Sequence, residues 1–328
     1  MDDKIIETIK QELNVNQQQN QEDSLFFKNK ETIKINKENF HNYETKATKK
    51  LAFIDGGNAE LINTPNLNLS FIRVYGIVLD NNKKIAEYKK EFYVLTTTRN
   101  KENNLIYQTK IFNQEENLDY EINSFDNSIK QGNNRANVSI IPGIIRRFTE
   151  VNLAIDISKQ TQDTIIVLDG SLKANYPKEQ ELINELYQTN NIIVALSKTS
   201  NLLTKNGKSL ITYIMSMAPN EKWYYYPLIE SNEPYIIIAK LNSKSRYAFK
   251  IETNNKQNIK EIIENLANNS NDPIFPGYPY GLIVADKFAR VPNDEKEYIK
   301  TILTTKLKSD ISSHLNPLNA HSILDNIG

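Results

Sequence analysis

Two apolar runs, each ending in an aspartate followed by glycine, constrain this chain more than any other feature: FIDGGNAEL at 53–61 and IIVLDGSL at 165–172. Such runs are expected as buried strands, and glycine permits a sharp turn just past the carboxylate. Asp55 and Asp169 are therefore expected at strand ends. Asp-Gly also closes ordinary hairpins, so either motif alone is more often a purely structural turn. Brought together by neighbouring strands, two such carboxylates are the smallest set that holds a divalent metal against a phosphate.

The segment IIPGIIRRFTEVNLAIDIS, 140–158, precedes the second motif. Ile144, Ile145, Phe148, Val151 and Ile155 recur at helical spacing after a Pro-Gly start signal. Glu150 falls on the same helix, off the main apolar stripe, where a solvated surface glutamate is the alternative reading. LSFIRVYGIVL at 69–79 pairs naturally with the 51–55 strand as a hairpin, and KKEFYVLTTT adds a further strand. The polar stretch at about 99–138 reads as an insertion. KEQELINELYQ predicts a helix leading into the strand NIIVALSK, IIIAKL and SRYAFKIE predict a hairpin, and KEYIKTILTTKLKSDIS predicts a terminal helix. Residues 1–50 read as an N-terminal helix (Ile5, Ile6, Ile9, Leu13) with a polar Asn/Gln-rich connector, and 51–328 as the main domain.

Composition excludes several chemistries. With no cysteine in 328 residues, thiolate-held zinc, a cysteine nucleophile and disulfides are ruled out, and a reducing cytoplasm is the expected location. Ser171 follows an Asp-Gly and not the Gly-x-Ser-x-Gly elbow of a serine hydrolase. NGKS at 206–209 lacks the spacing of an ATP-binding loop. The N-terminus has no apolar stretch long enough for a signal or a membrane span. Forty basic residues balance forty acidic ones, so any nucleic-acid contact must come from local patches. Candidates are Lys46, Lys49 and Lys50, then Arg146 and Arg147, then Lys198, Lys205 and Lys208; ordinary solvated faces are the alternative. Tyr224–Tyr226 and Tyr235 are aromatic enough to stack on unpaired bases, or to fill a core.

Taken in order, the IDGG strand, the RRF-x-E helix, the IVLDGSL strand, VALSKTS and the late YPYGLIVAD resemble the NurA nucleases, from about residue 50 to the C-terminus. The resemblance implies an α/β fold of RNase H-like type, a mixed central sheet flanked by helices with insertions. It also implies a homodimer that processes DNA ends by single-strand endonuclease and 5′ to 3′ exonuclease chemistry, uses Mn²⁺ or Mg²⁺, and works with a HerA-type hexameric ATPase. Residue by residue, it makes Asp55, Glu150 and Asp169 metal ligands and places Lys198 near a phosphate. Lys240 and Arg246 match basic positions of the family, and Tyr235 is the choice for its functional tyrosine. Where the family has Ala-His after its Tyr-Pro, this chain has Ala285-Asp286 after Tyr278-Pro279. Aspartate is a competent ligand for either ion, so Asp286 is expected as the fourth. His41, His314 and His321 do not obviously replace the missing histidine, and AHSILD resembles a structural C-terminal element of the family. The departure leaves a second reading, a weakened nuclease-like scaffold that binds DNA or the ATPase.

Overall fold

Apolar and β-branched runs form most of the strands in the computed structural model, which describes residues 4–10, 24–25, 33–113, 120–229 and 234–315. Two units make up the chain, Met1–Thr48 with Val194–Pro279, and Lys49–Ile193 with Tyr280–Gly328. The first opens with helix α1 (residues 4–10) and the short strands β1 (Ser24–Leu25), β2 (Ile33–Lys34) and β3 (Phe40–His41). Ile5 and Ile9 on α1 are about half exposed. Leu13, the Asn/Gln-rich connector and His321 lie outside the described residues, as does the side chain of His314.

The second unit carries β4 (Lys50–Thr64), β5 (Leu67–Asp80), β6 (Lys83–Lys101), β7 (Asn104–Phe112), β8 (Tyr120–Asn123), helix α2 (Ile141–Gln160), β9 (Thr164–Asp169) and helix α3 (Glu179–Tyr187). Strands β4 to β8 pair antiparallel in chain order, and β9 pairs with β4 in parallel. Asn81 with Asn82, and Glu102 with Asn103, all have positive φ, the two-residue turn that matches the twist of a hairpin. A parallel neighbour requires a crossover, which α2 supplies. The expected hairpin of 51–55 with 69–79 is present. The stretch at 99–138, expected as an insertion poor in periodicity apart from NLIYQTKIF, contributes the end of β6 together with β7 and β8, and so widens this sheet. Its residues 114–119 lie outside the description.

The first unit resumes with β10 (Ile192–Ser197), α4 (Leu210–Met217), β11 (Trp223–Tyr225), β12 (Tyr235–Lys240), β13 (Phe249–Thr253) and α5 (Ile259–Asn268). These strands and β3 pair antiparallel in the order β10, β13, β12, β11, β3, with β12 and β13 as the predicted hairpin. Trp223 and Tyr225 are about 1% exposed and pack with Leu210, Ile214, Leu228 and Ile238. Tyr224 is buried and stacks on His41, so of the tyrosine run at 224–226 only Tyr226 keeps partial exposure. Core packing therefore claims Tyr224 and Tyr225 rather than base stacking.

Helices α6 (Tyr280–Ala289) and α7 (Asn293–Leu315) return to the second unit, where α6 packs on β4 and β5. Arg73 on β5, 9% exposed, donates to Glu295 of α7, to Glu91 of β6 and to the Arg290 carbonyl. No described helix is long and apolar enough to cross a membrane.

Candidate active site

The register of β4 on β9 brings the two motif aspartates together. Phe53 pairs with Val167 and Ile54 with Leu168, so Asp55 and Asp169 come next in step on adjacent parallel strands. At Asp169 the strand ends, and Gly170 turns the chain away at φ +106°, a conformation glycine adopts without steric cost. At Asp55 no turn follows. β4 runs on through Gly56 and Gly57 to Thr64, which corrects the expected strand end.

The two glycines of the first motif serve close approach instead. A Cβ on Gly56 would stand 2.5 Å from Glu150 Oε1 and 2.9 Å from Arg146 Cγ, both on α2. One on Gly57 would collide with the Ala289 carbonyl at the end of α6. Successive strand residues face opposite ways, so α2 covers one face of β4 and α6 the other. Asp55 shares the α6 face with Phe53, whose ring lies against Gly281, and with Gly57. The middle of α6 therefore runs along the face that carries Asp55. Ala285 is fully buried there, while Asp286 stands on the helix flank and forms an ion pair with Arg290 at 2.7 Å.

Asp55 is 8% exposed, and its Oδ1 accepts the Gly56 N–H at 2.7 Å. Glu150 is 4% exposed, so the solvated-glutamate alternative does not hold. Burial pushes its carboxyl up from the ordinary range; the Arg146 and Arg147 guanidiniums pull the other way, and the Asp169 charge adds to the upward push. Arg146 bonds Glu150 Oε1 and also donates to the Gly56 carbonyl at 2.7 Å, which pins the glutamate beside β4. Arg147 Nη1 stands 3.7 Å from Glu150 Oε2. Both arginines, expected on a DNA-facing surface, are engaged with internal carboxylates. Among the described residues no three His, Asp or Glu side chains are drawn into one closed metal-holding cluster.

Lys198, Tyr235, Lys240 and Arg246 belong to the first unit, and the four acidic residues to the second. Lys198 is exposed just after β10, with its ammonium 5.7 Å from the centre of the Tyr278 ring. Tyr235 opens β12 half-buried, Lys240 Nζ donates to the Asn220 carbonyl at 3.0 Å, and Arg246 is exposed between β12 and β13. Glu179 escaped the reading of the sequence, although it is buried beside this site. Its only sequence signal is its place at the start of a helix.

The NurA domain model matches residues 49–291. In structure, the chain is similar to the NurA nuclease from Sulfolobus solfataricus, with a TM-score of 0.56 and 16% identity over 93% of this chain and 96% of that one. Ciona intestinalis endonuclease V, solved with an inosine-containing DNA, aligns at a TM-score of 0.41 and 11% identity, over 78% of this chain and 92% of that one. No curated protein matches in sequence. The described architecture is accordingly an RNase H-like α/β fold, a mixed sheet flanked by helices.

Proposed function

This chain belongs to the NurA family, and on that premise we propose that it is a metal-dependent deoxyribonuclease acting on DNA ends. The observation that carries the proposal is the register that brings Asp55 and Asp169 side by side on the adjacent strands β4 and β9, with buried Glu150 packed from α2 against Gly56 on the other face of β4. By residue type the donor set suits Mn²⁺ or Mg²⁺, although among the described residues no three of these side chains are gathered into a metal-holding group. The set consists of carboxylates only, which these hard ions prefer, and a buried glutamate whose carboxyl is pushed up gains most from a nearby cation. Asp55, Glu150 and Asp169 would hold the metal, with Asp286 as the fourth ligand.

When bound, the metal would lower the pKa of a water and offset charge building on the phosphate. The chain's own residues do the rest. Asp55 Oδ1 accepts the Gly56 N–H, which orients the carboxylate. The Arg146 guanidinium holds Glu150 in place beside β4 and offsets its charge. By residue type Lys198 would suit a phosphate, and Tyr235, Lys240 and Arg246 would suit stacking and cationic contacts to DNA.

Family membership also supports single-strand endonuclease and 5′ to 3′ exonuclease activity, a homodimer, and a HerA-type hexameric ATPase as the motor. The second reading, a weakened scaffold, draws on Asp286 standing in place of the family's histidine while paired with Arg290. The two are separated by cleavage of end-labelled single- and double-stranded DNA with Mn²⁺, Mg²⁺ or EDTA, with Asp55→Ala as control. Metal-dependent cleavage that the substitution abolishes is the expected result. A folded protein that cleaves nothing, with or without its ATPase, overturns the enzyme reading in favour of the scaffold.

A further inference from the structure

We propose that Arg147 and Glu179 form a positioning clamp that fixes the Asp169 loop to the helix carrying Glu150, and that Arg147 is not a DNA contact. The inference rests on the metal-site reading above. Arg147 lies three residues before Glu150 on α2, and its guanidinium reaches three ways. Nη2 donates to the Ser171 carbonyl at 2.6 Å, Nε donates to Glu179 Oε1 at 2.8 Å, and Nη1 faces Glu150 Oε2 at 3.7 Å. Glu179, 1% exposed, uses its other oxygen to accept the N–H groups of Asn175 at 2.7 Å and Tyr176 at 3.2 Å.

The consequence is geometric. The loop between Asp169 and α3 leaves β9 through Gly170 and enters α3 through Lys178, both with positive φ. Its start is held by Arg147 at Ser171, and its end by Glu179, which Arg147 also holds. One guanidinium thus ties both ends of the loop after Asp169 to the turn of helix before Glu150. A planar fork can do this because its N–H groups diverge in fixed directions; an ammonium is a point charge and cannot hold two partners so placed. With the side chain 11% exposed, little of this guanidinium is presented to a ligand in solvent.

The test uses the full-length protein with Arg147→Lys, Glu179→Gln and the double variant. Three quantities are read: Mn²⁺ affinity by calorimetry, affinity for single-stranded DNA in EDTA, and melting temperature. In Glu179→Gln the amide can accept from Arg147 but then turns an NH₂ toward two backbone N–H donors, so the loop loosens while the charge on Arg147 stays. The expected result is Mn²⁺ affinity about 10-fold weaker or more in each single variant, the range found when partners of metal ligands are changed. The double variant should be no worse than the weaker single one, because both break one unit. DNA affinity in EDTA should be unchanged. Mn²⁺ affinity within about twofold of the parent in a folded Arg147→Lys or Glu179→Gln overturns the clamp, as does weakened DNA binding with a shallower salt dependence. If Asp55→Ala also leaves Mn²⁺ binding unchanged, the fault lies in the assignment of the metal site rather than in the clamp.

Discussion

Replacing Gly57 with alanine tests whether the glycine pair exists for helix approach. The added Cβ would collide with the Ala289 carbonyl oxygen and stand 3.0 Å from its carbon and 3.3 Å from Arg290 Cα, all backbone atoms. Comfortable carbon contacts lie at about 3.5–4.0 Å, so the end of α6 must shift by several tenths of an ångström or more. Overpacking of this kind costs about 1–3 kcal/mol, against which alanine recovers about 0.4–1 kcal/mol of unfolded-chain entropy. The net loss lies between about 0 and 2.6 kcal/mol, and the backbone contact places it in the upper half of that range, a melting temperature lower by roughly 3–10 °C for a body of this size. Gly56→Ala meets the ends of flexible side chains, Glu150 and Arg146, so its stability loss should be smaller. Its effect should fall on Glu150, as weaker Mn²⁺ binding. Thermal melts and calorimetry on both variants decide the matter. A Gly57→Ala protein as stable as the parent, beside a clearly destabilised Gly56→Ala, would refute the assignment of α2 and α6 to opposite faces of β4.

Asp169→Asn should remove metal-dependent cleavage while leaving the circular dichroism spectrum and melting temperature near the parent's; full activity would reject that carboxylate as a ligand. Asp286→His, which restores the family's residue, should raise Mn²⁺ affinity and Asp286→Ala should lower it; titrations unaltered by both would count against that position as a ligand. Arg73→Met leaves Glu91 and Glu295 without their shared cation; because both carboxylates are about one-third exposed, the expected loss is about 2–3 kcal/mol, below the 3–5 of a fully buried pair, read by urea unfolding. Burial raises the Glu91 carboxyl, but hydrogen bonds from Lys89 and Arg73 outweigh it and leave the pKa lowered. Its contribution to stability is therefore present above the ordinary glutamate value and is lost as pH falls through the lowered one. Melting temperatures of the parent and Glu91→Gln should accordingly converge as the solution is acidified from neutral pH, and parallel curves would rule this out.

Local pattern was enough for much of this protein. Apolar runs gave β4, β9 and β10, helical spacing gave α2 and α3, and the two Asp-Gly motifs marked the carboxylates, because each signal lies within a few consecutive residues. The order of those motifs also carried the family. What neighbouring residues could not reveal depended on contacts distant in sequence. Gly56 and Gly57 read as a turn, yet helices about 90 and 230 residues away in the chain make them a site of close approach. Arg146 and Arg147 read as DNA contacts, with a solvated face as the alternative, since one sequence does not say that Gly56, Glu150, Ser171 and Glu179 surround them. Tyr224 and Tyr225 left base stacking or a core place open from local sequence, and pairing of their strand with β3 and β12 on either side decided for the core. Which groups can do chemistry here was legible before any fold, because residue type and local period are properties of the chain. Tertiary structure alone decided which charges are paired internally and which faces meet, because burial and ion pairing are set by partners the chain brings from far away.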